Sequence, residues 1–387
     1  MVSGALPALF LTPAVVIAAL LGLGIGVLLG RYLAGQPFRH QVRDYAVSET
    51  LGAMLSAEER GRAALAFKDS AAAASDMTRF SYAVANVPTP FVGSGPRPGQ
   101  NDNAWINPMQ FRSHKDVVMP KPPDTYRIFL TGGSTAFGSG APSQDTIVGA
   151  YLEKRLGPEI GSLTGRQLEI FTLANPSWTS THERILIENR LTELAPDMVI
   201  SLSGSNDVHW AGAGRNVGWF RTYAEQHFWE LLNAARKLAG LGSMPEVVAK
   251  ASPVAPVRVG ERLEKNVRLG AMALAMAGAH YVFVLQPGLA VTSKPLSPRE
   301  QELRMGLAPW ALENFSQCYE EIRKRLAELN DGNFLYLDKS NVFSELDVAD
   351  EIFLDSYHFG DRGNEILAHA IADGIRALAT RANRSEE

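Results

Sequence analysis

The chain has 387 residues, 37 basic against 41 acidic side chains and one cysteine, Cys318. That length allows one large or two modest domains, and a charge balance this close to neutral leaves no footprint for nucleic acid. A lone cysteine excludes both an intramolecular disulfide framework and a cysteine-based zinc site.

The first 30 residues carry no charged side chain, and residues 8–29 are an almost unbroken run of Leu, Ile, Val, Ala and Gly. At about 1.5 Å per residue such a helix reaches about 33 Å, enough for a hydrocarbon core of about 30 Å. The basic start and short apolar core of a cleaved signal are missing, so residues 1–43 read as a single-pass anchor in the cell membrane and its flank. Arg31, Arg39 and Arg43 follow the run, a bias that places the rest of the chain in the cytoplasm.

Residues 44–83 are rich in Ala, Glu, Ser and Met, with apolar positions near helical spacing, which predicts one or two helices forming a stalk or packing beside the main domain. Prolines and glycines then crowd residues 87–124, including GSGPRPGQNDN, as expected of a linker without its own core. Residues 44–124 are therefore a helical stalk and linker.

From residue 125 short apolar runs alternate with amphipathic stretches. Residues 127–131, 168–174, 197–203, 280–286 and 333–338 read as strands, and 146–156, 181–194, 257–277, 310–329 and 363–379 as helices. Such alternation predicts a three-layer α/β/α sandwich around a mostly parallel five-stranded sheet over residues 125–387. Residues 208–256 interrupt it with Trp210, Trp219, Phe220, Tyr223, Phe228 and Trp229, either as a lid or as a helical subdomain packed by those aromatics.

In open α/β sheets ligands sit beyond the carboxyl ends of the strands. Ser134, Ser177 and Asn206 each follow a predicted strand by three residues, so three polar segments emerge on one rim. Taken singly, each has an ordinary reading. GGST at 132–135 is a glycine-rich turn that presents a serine, GSND at 204–207 is a common strand-end turn, and Asp355 with His358 in DSYH is either an acid–base pair or a helix cap beside an exposed imidazole. An asparagine amide on the rim can donate to an oxyanion, and a carboxylate beside an imidazole fixes its tautomer. His182 and His369 lie in helical stretches and His280 opens a strand, whereas His209 follows GSND and can line a pocket.

Together, GGST, NPSWTS (175–180), GSND and DSYH resemble the blocks of the SGNH (GDSL-type) hydrolase superfamily over roughly residues 126–379. Gly133 and Ser134 match its nucleophile block in a Gly-Gly-Ser-Thr form familiar among membrane-tethered members. Gly204, Asn206 and Asp207 match the Gly-x-Asn-Asp block, and Asp355 and His358 the Asp-x-x-His block. The resemblance implies a flavodoxin-like fold and an esterase or deacylase with Ser134 as nucleophile, His358 as base and Asp355 orienting it. Ser134, Ser177 and Asn206 would form the oxyanion hole, with Gly133, Gly204 and Asp207 in support and no cofactor or metal. The substrate would be an acyl ester on a lipid, an envelope glycan or a lipid-linked sugar, on the extracytoplasmic side if the family's habit holds. One block departs from the family, because Ser177 stands where it carries a glycine, and a glycine-type backbone angle would strain a serine. The same residues also serve an O-acetyltransferase, and the fold alone serves a non-catalytic accessory subunit bound to other membrane proteins.

Overall fold

The computed structural model describes residues 21–30, 49–215, 223–244 and 252–385. The chain divides into two compact units, one of residues 1–46 with 227–246 and one of residues 47–226 with 247–387. In the smaller unit, α1 (21–30) exposes Leu21, Leu23, Ile25, Val27, Leu28 and Leu29. The rest of the apolar run, residues 8–20, lies outside the described residues, and among those described no helix is long and apolar enough to cross a membrane.

In the larger unit, β1 (Glu49–Thr50), α2 (Ala57–Ala63), α3 (Ser70–Asp76) and β2 (Ser81–Ala83) come first, followed by the hairpins β3 (Asn86–Thr89) with β4 (Gly93–Pro96) and β5 (Gly99–Asn101) with β6 (Ala104–Ile106). The region 49–83 packs beside the main domain rather than standing off as a stalk. Leu51, Ala63, Ala66, Phe67, Met77 and Phe80 form one cluster with Leu354. The segment 87–124 also differs from a plain linker, since its glycines and prolines build tight hairpins.

The remaining elements are β7 (Thr125–Gly132), α4 (Ser134–Phe137), α5 (Val148–Thr164), β8 (Gln167–Ala174), α6 (Ser180–Leu186), β9 (Met198–Ser203), α7 (Ser205–Gly212), α8 (Tyr223–Leu238, which belongs from His227 onward to the smaller unit), α9 (Pro256–Met276), β10 (His280–Leu285), α10 (Pro298–Met305), α11 (Pro309–Leu326), β11 (Phe334–Asp338) and α12 (Asp361–Ser385). Five strands make one sheet in the order β8-β7-β9-β10-β11, and every pairing among them is parallel. Counted along the chain this is the order 2-1-3-4-5, the flavodoxin-like arrangement, as expected. Antiparallel bridging of Arg112 to Thr172 covers the free edge of β8.

The period of two along each strand divides the core in half. Ile128 and Leu130 of β7 face Val148, Leu152 and Leu156 of α5 and Leu367 and Ile371 of α12. Phe129 faces the other way, into a cluster with Leu186 of α6, Leu263 and Val267 of α9, and Phe315 and Tyr319 of α11. Burial on both faces explains why the strands read as continuous apolar runs rather than as alternating ones. In the insertion, Trp219 and Phe220 lie outside the described residues, Trp210 belongs to α7, and Phe228 and Trp229 sit on α8.

Candidate active site

The strand order changes direction between β7 and β9, and their carboxyl ends open the crevice where such sheets take ligands. At the end of β7, Gly132 has φ 148° and approaches the carbonyl of Leu202 so closely that a Cβ would overlap it. Only glycine brings the two strand ends together there. Ser134 then heads α4, half-buried, with Gly133 at the N-cap and Gly138 ending the helix at φ 85°. Arg112, buried beneath, donates from Nη1 to the carbonyls of Phe137 and Gly138 at 2.9 Å each.

Beyond β9, Gly204 turns the chain at φ 109° into α7. The Asn206 amide nitrogen lies against Gly133, close enough that a Cβ on that glycine would overlap it. One of its hydrogens goes to the Trp178 carbonyl at 2.7 Å, and the other remains to serve a ligand. Asp207 is buried and holds the neighbouring loop, accepting from the Ser180 amide at 2.9 Å and its hydroxyl at 2.6 Å. Burial pushes the Asp207 carboxyl up, partly offset by those two bonds.

Ser177 adopts φ 71°, the left-handed conformation that its place at a glycine position calls for. The turn around it is fixed from outside the sheet. Buried Trp178 donates from its indole to Ser94 O at 3.2 Å, and Asn175 bonds Asn86 at 2.8 Å, so the β3–β4 hairpin clamps this wall. Sequence reasoning missed that contribution because the hairpin lies in the presumed linker.

On the facing side, Asp355 accepts from the backbone amides of Tyr357 (2.8 Å) and His358 (2.9 Å) through Oδ1, folding its own loop. His358 Nδ1 sits 2.8 Å from Asp355 Oδ2. Burial would raise the Asp355 carboxyl, but the His358 charge and the hydrogen bonds around it prevail and hold it at about 2. The imidazole is 5% exposed, and its Nε2 is buried without a partner among the described residues. Ser134 and His358 are therefore not joined by a hydrogen bond, although their neighbours are close: Thr135 Oγ1 lies 3.5 Å from Tyr357 O and accepts from Gln286 at 3.1 Å. Catalytic hydrogen bonds of this kind commonly close only when substrate is in place.

The Asp355 loop rests on a buried charge cluster that no motif announces. Lys294 and Glu300, both with fully buried side chains, pair at 2.7 Å. Glu300 also accepts from the amides of Ile352 and Phe353, while Arg299 donates to the carbonyls of Phe353 and Leu354 and pairs with Glu351. Tyr82 completes the surroundings, with its hydroxyl 2.7 Å from Asp355 Oδ2.

Of the other histidines, His182 accepts from the Thr179 amide at 3.1 Å and is packed. His209 bonds the Tyr357 hydroxyl at 2.9 Å, beside the site, and burial lowers its pKa. Among the described residues no group of acidic, histidine or cysteine side chains is arranged to hold a metal ion.

No family model matches the chain, and no curated protein does. Solved structures similar to it include a hydrolase and an acetylxylan esterase. An alpha/beta hydrolase enzyme from the metagenome of Lake Arreo, Spain, is 15% identical with a TM-score of 0.41, covering 65% of this chain and 96% of that one. An acetylxylan esterase from Geobacillus stearothermophilus is 13% identical with a TM-score of 0.38, covering 65% and 94%. TesA is 16% identical with a TM-score of 0.37, covering 65% and 99%. The fold assignment rests on the strand order above rather than on these likenesses.

Proposed function

We propose that the protein is a serine ester hydrolase of the SGNH type, with Ser134 as nucleophile, His358 as general base and Asp355 as the group that orients it. One convergence carries this reading. At the switch point of the sheet a half-buried serine heads a helix beside the Asn206 amide, and the segment that touches the next residue, Thr135, carries an imidazole whose Nδ1 is held by a carboxylate and whose Nε2 has no partner among the described residues.

His358 Nε2 takes the Ser134 proton as the oxygen attacks the ester carbonyl, and the N–H groups of Ser134, Ser177 and Asn206 receive the oxyanion. Collapse expels the alcohol, which takes the proton from His358. Water, deprotonated by the same imidazole, then releases the acid and restores Ser134. Asp355, ionised throughout the neutral range, stabilises the imidazolium at both steps. An acyl chain on a lipid, an envelope glycan or a lipid-linked sugar is the substrate class we infer, with residues 8–29 as the tether; the exposed apolar side chains of α1 support it.

Labelling of the full chain by a fluorophosphonate probe, and hydrolysis of short-chain aryl esters, test the chemistry. Both should be lost in Ser134→Ala, and unchanged hydrolysis in that variant rejects the reading. The tether is tested by alkaline extraction of membranes, which should leave the full chain in the pellet. Ser177 at φ 71° favours a second reading, an accessory subunit with little turnover, which predicts no labelling together with stoichiometric co-purification of membrane proteins.

A further inference from the structure

Strand β2 ends the segment that packs beside the main domain, and it delivers a side chain that the scheme above does not use. The Tyr82 hydroxyl lies 2.7 Å from Asp355 Oδ2 and 2.9 Å from His358 Nδ1, and the two rings meet edge to face at 4.8 Å. No spacing in the sequence links positions 82, 355 and 358.

The proton inventory fixes the direction of these contacts. An ionised carboxylate only accepts, and Asp355 is held ionised. Burial, and then the Asp355 charge, push the Tyr82 phenol far above its ordinary range, so it keeps its proton and donates it to Oδ2. With His358 Nδ1–H also pointing at Asp355, the phenol oxygen merely lies beside that N–H, and the carboxylate is the stronger acceptor.

The backbone of Tyr82 is tied to the other half of the site. Ser139 Oγ donates to the Tyr82 carbonyl at 2.5 Å, and the Gly140 amide donates to Ser81 O at 2.8 Å. Ser81 is held in turn by Asn103 at 2.8 Å and Asn101 at 2.6 Å. Residues 139 and 140 directly follow the helix headed by Ser134. The main chain at residue 82 is therefore fixed to the nucleophile turn, while its hydroxyl grips the acid–base pair.

We propose that Tyr82 is a positioning residue: its hydroxyl holds the Asp355–His358 pair in register with the nucleophile turn and, by sharing the carboxylate's charge, limits the basicity of the imidazole. This inference rests on the catalytic roles proposed above for those two residues. The other titratable groups around the pair are Tyr357 on the same loop, Glu49 on β1, His209 bonded to Tyr357 from α7, and Arg299, which holds the loop through backbone carbonyls. None of them bonds Asp355 Oδ2, so removal of the phenol hydroxyl is a clean change.

The sign follows from electrostatics. Without the donor, the carboxylate charge is less shared, the imidazolium beside it is better stabilised, and His358 should bind its proton more tightly. The test is an NMR titration of full-length protein labelled with 15N-histidine, read on His358 in a Ser134→Ala background with and without Tyr82→Phe, the signal assigned by loss in His358→Gln. We expect the imidazole pKa to rise by about 0.5–1 unit, a 3- to 10-fold change in proton affinity, in a protein that still unfolds cooperatively. In the Asp355→Asn background the same substitution should produce no shift. An unchanged titration in Tyr82→Phe overturns the proposal, as does a shift that survives in Asp355→Asn, because Tyr82 would then act as packing only. In the enzyme with Ser134 intact, Tyr82→Phe should lower kcat about tenfold with KM unchanged. Since the titration needs no turnover, the two failures are distinguishable: a failed esterase assay with the shift present rejects the functional reading, and an unchanged titration in an active enzyme rejects the role of Tyr82.

Discussion

The two halves of the site are held by different physics. On the side of the proposed nucleophile, position comes largely from the backbone: Gly132 brings the ends of β7 and β9 together and Gly204 turns the chain into α7, both at positive φ, and Gly133 leaves room for the Asn206 amide. On the acid–base side, Asp355 and His358 sit on a loop positioned by side chains from distant segments, namely Lys294, Arg299, Glu300 and Tyr82. The backbone device is compact in sequence and intolerant of a single methyl group. The side-chain device is dispersed, and it fails when a charge loses its partner.

The largest effect should therefore follow from breaking the buried pair. Lys294→Met leaves the Glu300 carboxylate in a dry interior without its cation, and removing one partner of such a pair costs about 3–5 kcal/mol. Denaturant melts of the variant should show that loss. A midpoint within error of the parent would mean that the Asp355 loop does not depend on this cluster.

The complementary break is Gly133→Ala. Its methyl overlaps the Asn206 amide, so the donor must move off its line. Losing one oxyanion donor costs about 100- to 1,000-fold in turnover. We expect kcat for an aryl ester to fall into that range while stability changes little. A fall in stability with kcat preserved would assign Gly133 to packing instead.

A pH experiment sharpens the contrast further. On α6, Glu183 is buried with Oε2 without a hydrogen-bond partner among the described residues, and burial pushes its carboxyl from 4.5 to about 7, partly opposed by the Ser203 hydroxyl. A folded-state pKa above the unfolded value means that stability is full below about pH 4.5 and declines as pH rises through about 7. The decline attributable to this group is on the order of 3 kcal/mol. Glu183→Gln should flatten it between about pH 4.5 and 7, and parallel curves for the two proteins would show that Glu183 carries no such linkage.

The same contrast explains what was legible in the sequence. All five strands were readable because burial on both faces makes them continuous apolar runs. The short helices α4 and α7 were not, since four and eight residues are too few to show a helical period. Ser134, Asn206 and the Asp355–His358 pair were readable because their partners are near neighbours or follow strand ends. Tyr82, Ser94 and the Lys294 to Glu351 cluster were not, because their contacts close over long stretches of chain with no fixed spacing. The proline- and glycine-rich stretch at 87–124 was read for what it lacks, a core, whereas the β3–β4 hairpin, which it largely supplies, buttresses Trp178 and Asn175.

The smallest effect is expected at Ser177, on the wall beside Asn206. Its φ of 71° is natural for glycine and costs an L-residue roughly 1–2 kcal/mol. Ser177→Gly removes that strain but also loosens the unfolded chain, by about 0.4–1 kcal/mol in the opposite direction. The net gain should lie between about 0 and 1.5 kcal/mol, read as a rise of at most a few degrees in melting temperature. The amide at position 177 survives the change, so kcat should hold or rise slightly as the donor relaxes toward the oxyanion. A drop in kcat beyond tenfold would instead give the Ser177 hydroxyl a part in binding the substrate.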